Sequence, residues 1–116
     1  MNQLTNFFKI LSDKTRLRIV TLLAQQELCV CEMCGVLEIS QSKVSKHLAK
    51  LRDKGFVFDK RKEQFVFYSL RIEDEVISNL IKNIVNNIEK YPQLKLDSER
   101  LEDKDMYNIK GIKNLD

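Results

Sequence analysis

Ser40-Gln41-Ser42-Lys43-Val44-Ser45-Lys46-His47-Leu48-Ala49-Lys50-Leu51-Arg52-Asp53-Lys54-Gly55 is the stretch that decides the fold. Val44, Leu48 and Leu51 stand at i, i+4 and i+7, the spacing of one buried helical stripe. Ser40 is placed to cap the helix by accepting a backbone N–H, and Gly55 to end it, because glycine adopts a left-handed conformation at little cost. The other side of such a helix presents Gln41, Ser42, Ser45, Lys46 and Lys50. Short polar side chains can hydrogen-bond base edges, while lysines add phosphate contacts and salt-dependent affinity. A lone histidine here, His47, reads as a packing or phosphate-contacting side chain rather than a metal ligand.

Working outward, Phe56-Val57-Phe58 and Phe65-Val66-Phe67-Tyr68 are β-branched and aromatic runs around a charged stretch, Asp59-Lys60-Arg61-Lys62-Glu63. They predict a β-hairpin over 56–70. Its tip lacks the glycine, asparagine or proline of a tight turn, so the expectation is a longer tip loop, with Arg61 at the wing tip able to meet a minor groove or a phosphate. Helix, turn and helix from Cys31 to Lys54, then a basic hairpin, is the order of a winged helix-turn-helix. The predicted fold class is therefore mainly α with a small β-hairpin, a dimeric winged helix-turn-helix.

Charge supports that reading. Residues 41–62 carry Lys43, Lys46, Lys50, Arg52, Lys54, Lys60, Arg61 and Lys62 against Asp53 and Asp59, in a chain of 116 residues whose net charge is only +3. The positive excess is local, the footprint of phosphate binding rather than of general basicity. Upstream, Leu4, Phe7, Phe8, Ile10 and Leu11 predict a first helix, and Ser12-Asp13 caps a second with Leu17, Ile19, Val20, Leu22 and Leu23 inward. Downstream, Val76, Ile77, Leu80, Ile81, Ile84, Val85 and Ile88 line one face of a helix ending before Pro92. A stripe that continuous exceeds what the first helix can cover, and a symmetric partner chain is expected to bury the rest. Residues 1–90 are read as one DNA-binding and dimerisation domain and 91–116, with charges of both signs and no clear period, as a C-terminal extension of unknown structure. With no basic-then-apolar leader and no run near the ~18 apolar residues of a membrane span, the expected location is cytoplasmic.

Three cysteines, Cys29, Cys31 and Cys34, fall within six residues immediately before the reading helix, and they are the only ones in the chain. In a reducing compartment such a cluster argues for thiolate ligation or redox chemistry, not a disulfide framework. As(III) and Sb(III) take three sulfurs in a pyramid, and three thiolates balance a trivalent charge. Zn(II) would leave one negative charge and want a fourth donor, which makes it the runner-up, with Cu(I) behind it. Cys29 and Cys31 lie about 200° apart around a helix, so three sulfurs converge on one atom only if the segment around Leu28 to Cys31 is kept or driven out of helical form. Gly35 would ease such a distortion; close packing explains it equally well.

The strings Leu37 to Leu48 and Leu51 to Val57 resemble the ArsR-SmtB family of winged-helix repressors, and Glu27 to Cys34 resembles its arsenic-responsive branch, the arsenical resistance operon repressors. The resemblance runs from about position 4 to position 90. It implies a homodimeric transcriptional repressor on double-stranded operator DNA, needing no cofactor to bind and released when a trivalent metalloid is held by the cysteines. The family's zinc site on the last helix is not expected, since no histidine follows His47, and no cysteine precedes Cys29 as in the cadmium and lead branch. Three rivals remain. One is a thiol redox sensor or other soft-metal regulator on the same fold. Another is a pure interaction module using the face of residues 76–88. The third is an oxidoreductase built on Cys31-Glu32-Met33-Cys34. Such C-x-x-C sites open a helix after a strand in a thioredoxin-like βαβ unit; none is evident here, and there is no nucleophile–base pair or phosphate-cradling glycine loop, so the chain is read as no enzyme.

Overall fold

The computed structural model describes residues 2–103. Six α-helices and three strands follow in the order α1 (Asn2–Leu11), α2 (Lys14–Leu23), β1 (Leu28–Cys29), α3 (Val30–Leu37), α4 (Gln41–Asp53), β2 (Val57–Lys62), β3 (Phe65–Leu70), α5 (Glu75–Asn86) and α6 (Pro92–Glu102), with a 3-10 turn at Ile88–Lys90. The helix boundaries follow their caps. Asp13 accepts the Arg16 amide at 3.0 Å to start α2, and Asp74 the Ile77 amide at 3.0 Å to start α5. Ser40 accepts the Lys43 amide at 3.4 Å to start α4, and Gly55, at φ +80°, ends the turn after it.

One core runs through the molecule. Phe7 and Ile10 of α1, Ile19 and Leu22 of α2, Met33 and Val36 of α3, Val44, Leu48 and Leu51 of α4, Phe56, and Ile77 and Ile81 of α5 are buried together. The helices therefore wrap a common centre, and α4 is fixed by the stripe that the sequence predicts.

Two expectations are corrected on the wing. The tip is not a long loop: strands β2 and β3 pair antiparallel from Val57↔Leu70 to Lys62↔Phe65, leaving only Glu63-Gln64 as the turn. Glu63 supplies the bend itself by taking φ +58°. That conformation costs a non-glycine residue roughly 1–2 kcal/mol, offset here by the ladder that it closes. Arg61 consequently stands in β2 opposite Val66, not on a loop. The wing also has a third strand. Leu28 pairs with Tyr68 and Cys29 with Phe67, giving a sheet in the order β1-β3-β2.

The appended segment expected after residue 90 is, over 92–102, a helix of the same body. Pro92 opens α6 at its first turn, where the missing amide hydrogen is no loss. Leu94, Asp97 and Leu101 are buried against α2 and α3. The part of that extension beyond residue 103 lies outside the described residues.

Candidate nucleic-acid interface and thiol site

Helix α4 buries Val44, Leu48 and Leu51 and exposes Gln41, Ser42, Ser45, Lys46 and Lys50 on its other side. Among the described residues, two of the basic side chains of 41–62 are in ion pairs: Arg52 with Asp59 at 3.7 Å and Lys62 with Glu27 at 3.1 Å. Lys43, Lys46, Lys50, Lys54, Lys60 and Arg61 have no carboxylate within ion-pair distance among those residues, so their charge is available to an external anion.

His47 is set apart from the exposed row. It is half-buried, and its Nδ1 lies 3.3 Å from Arg16 Nη1. Arginine can only donate, so Nδ1 accepts and the neutral ring carries its proton on Nε2. Burial lowers the His47 pKa, Asp13 opposes that shift, and Arg16, Lys46 and Lys50 reinforce it. Arg16 is itself held by a bond from Nε to the Ile10 carbonyl at 2.9 Å. Sequence spacing gave no sign of this pair, whose members are 31 residues apart.

The three cysteines occupy three different settings. Cys29 is 4% exposed, extended at φ −86° and ψ 166°, and sits at the junction where β1 becomes α3. The segment that had to leave helical form is thus already non-helical up to Cys29. Its amide donates to Glu32 Oε1 at 3.0 Å, and its sulfur in turn lies at the Glu32 amide, a capping box with cysteine in the serine position. Burial, the adjacent Glu32 carboxylate and the neighbouring Cys31 push the Cys29 thiol up to about 11. Cys34 is also raised, by burial first and by Cys31 second. Cys31 and Cys34 are half-buried on the first turns of α3. Among the described residues no three His, Cys, Asp or Glu side chains are gathered closely enough to hold a metal ion. The donor set has the right chemistry for a trivalent thiophilic ion, but the sulfurs have to be drawn together. Glu32 was the overlooked member. Its position three residues after Cys29, the capping-box interval, is the signal that marks it.

The other end of α3 is held by arginines. Arg18 donates from Nη2 to the Leu37 carbonyl at 2.9 Å and grips Asp97 through Nε and Nη2 at 2.8 and 2.9 Å. Arg100 reaches the Val36 carbonyl at 3.5 Å and the Glu38 carboxylate at 3.4 Å.

A helix-turn-helix whose second helix is basic and exposed, backed by a three-stranded wing, defines a winged helix-turn-helix DNA-binding regulator. Residues 13–58 match the family model described as bacterial regulatory protein, arsR family. The chain is 46% identical to the arsenic resistance transcriptional regulator ArsR1 of Pseudomonas putida, over 68% of this chain and 63% of that protein. It is 39% identical to the arsenical resistance operon repressor of Escherichia coli, over 66% of this chain and 80% of that one. Reduced HlyU from Vibrio cholerae superposes with a TM-score of 0.65 at 34% identity, covering 72% of this chain and 85% of the other. This chain belongs to the ArsR family of transcriptional regulators, DNA-binding proteins and not enzymes. It spans somewhat less than two thirds of the Pseudomonas relative's length. No helix among the described residues is long and apolar enough to cross a membrane.

Proposed function

We propose that this chain is a metalloid-responsive repressor. As a homodimer it binds operator DNA through Gln41, Ser42, Ser45, Lys46, Lys50 and Arg61, with His47 helping to seat the helix. It leaves that DNA when Cys29, Cys31 and Cys34 together bind As(III) or Sb(III). The observation that carries the reading is the place of Cys29. A buried cysteine that caps the helix preceding the reading helix, two and five residues from the other thiols, is a ligand whose use must undo the cap.

The residues supply the steps. Cys31 and Cys34 share one face of α3 and can meet one ion without leaving the helix. Cys29 can join them only by withdrawing its sulfur from the Glu32 amide, which frees the first turn of α3. The three thiols give their protons to the three hydroxyl groups of arsenous acid, leaving three waters and a neutral site that a half-buried position tolerates. Because α4 packs on α3, loosening the first turn moves the surface on which the reading helix rests.

Dimerisation is supported by the apolar face of α5, of which Val76 is 59% exposed and Leu80 and Ile84 are half-buried, continued by the half-buried Ile88 of the 3-10 turn, with Phe8 of α1 beside it at 56%. A symmetry-related copy of the same face would cover it.

The test is a fluorescence titration of a labelled duplex from the DNA upstream of the protein's own coding region, under reducing conditions, with and without arsenite. Salt-sensitive binding that arsenite weakens by about tenfold or more is expected, with the response lost in Cys31→Ser. Wild-type binding indifferent to arsenite would remove the metalloid from the reading; release by peroxide alone would transfer the cysteines to redox sensing.

A further inference from the structure

The C-terminal end of α3 is held more firmly than a helix of eight residues requires. Its last carbonyls, those of Val36 and Leu37, accept from two arginines, and both arginines are set in place by α6. Asp97 is 2% exposed and spends both carboxylate oxygens on Arg18, with Gln93 Nε2 adding a third bond to Oδ1 at 3.0 Å. Buried ion pairs are weak devices for stability alone, since well-packed apolar residues of similar volume often do as well. What the forked, planar guanidinium adds is direction: it fixes two partners in one plane, here the carboxylate of α6 and the final carbonyl of α3. One turn along α6, Arg100 holds Glu38, the residue after α3, which takes the left-handed φ of +55°.

We propose that α6 is a brace for the cysteine helix, in which Asp97, acting through Arg18, is a positioning residue that keeps the C-terminal end of α3 stationary. The inference rests on the inducer reading above. A helix of eight residues is about 12 Å long. If both ends are free, pulling Cys29 toward Cys31 and Cys34 is absorbed by a small slide of the whole helix. With the far end pinned, the same pull turns α3 about Leu37, and α4, joined by only Glu38-Ile39-Ser40, has to follow. The brace therefore governs how much of the inducer's effect reaches DNA, while leaving the thiols and the reading helix themselves untouched.

The experiment compares full-length wild type, Asp97→Asn, and the double variant Arg18→Met with Asp97→Leu, which leaves no charge buried and keeps the volume filled. Arsenite uptake is followed by the ultraviolet absorption of the sulfur–arsenic bonds, and duplex affinity is measured with and without saturating arsenite. In wild type the ratio of the two DNA affinities is expected to be about tenfold or more, and in both variants under about threefold. Arsenite uptake and arsenite-free DNA affinity stay within about threefold of wild type. A role in folding alone would not separate these readouts. Full retention of the wild-type ratio in the folded double variant overturns the brace, and that variant decides the question where Asp97→Asn fails to fold. A wild-type ratio near one, by contrast, sinks the inducer reading and the brace with it.

Discussion

The two ends of α3 are eight residues apart and are built on opposite plans. At the start, Cys29 and Glu32 satisfy one another across three residues of chain, with a thiol, two amides and one carboxylate. At the finish, the carbonyl of Val36 is held by Arg100 of α6 and that of Leu37 by Arg18 of α2, and the Arg18–Asp97 pair that orients the second spans 79 residues. A local cap contributes about 1 kcal/mol and reforms as soon as it is released. A buried charge pair cannot lose one partner without several kcal/mol of loss. One end of this helix is thus closed by a contact that yields cheaply, the other by one that does not.

The largest effect that sharpens the contrast is Asp97→Ala, expected to cost about 3–5 kcal/mol in urea unfolding, with Arg18→Met and Asp97→Leu together recovering most of it. A loss under about 1 kcal/mol would mean that the firm end is not firm. Next comes pH. The Cys29 thiol stands at about 11 in the folded protein against an ordinary 9.0. A raised thiol favours the fold while protonated, so this stability is complete below pH 9 and is lost as pH rises toward 11; Cys34 shifts the same way. Thermal midpoints should fall across that alkaline window, and less steeply in Cys29→Ser. His47 acts on the opposite flank. Its depressed value makes stability complete above the ordinary 6.5 and lost as pH falls through the lowered one.

Glu32→Ala should then cost about 1–2 kcal/mol as the loss of a cap, measured by the same denaturation. A cost equal to that of Asp97→Ala would erase the distinction between the ends. The smallest change is a gain: Glu38→Gly relieves a left-handed glutamate and is expected to stabilise by about 0.5 kcal/mol, the relief being partly cancelled by glycine's backbone entropy. A fall in the melting temperature would show that the Arg100–Glu38 contact outweighs that strain.

What the chain disclosed before its structure was known is what local physics controls. Ser40, Asp13 and Gly55 act on their own helices, and Val44, Leu48 and Leu51 decide by periodicity which side of α4 is exposed, so α4 and its candidate contact residues were legible. β1 was not, because two residues cannot show alternation and their partners, Phe67 and Tyr68, lie almost forty positions on. α6 was hidden by its own composition: its buried face includes Asp97, which reads as surface until Arg18 is placed beside it. The wing turn escaped because Glu63 accepts a conformation that usually advertises itself with glycine. Cys29 was legible as a candidate ligand by its chemistry, but its capping contact with Glu32 needed the backbone.

The pairing of Leu28 and Cys29 with β3 has a consequence for the lifetime of the wing. A lone two-stranded hairpin is marginal in water, and a third strand is what gives a small sheet its persistence. Here that third strand is two residues long, and one of the two is a cysteine of the thiol cluster. The Cys29 amide donates to Glu32, so the pairing is read at the neighbouring pair: amide exchange at Leu28 and at Tyr68 should accordingly rise and fall together, so that the beat of the wing is set from the cysteine segment on its far side.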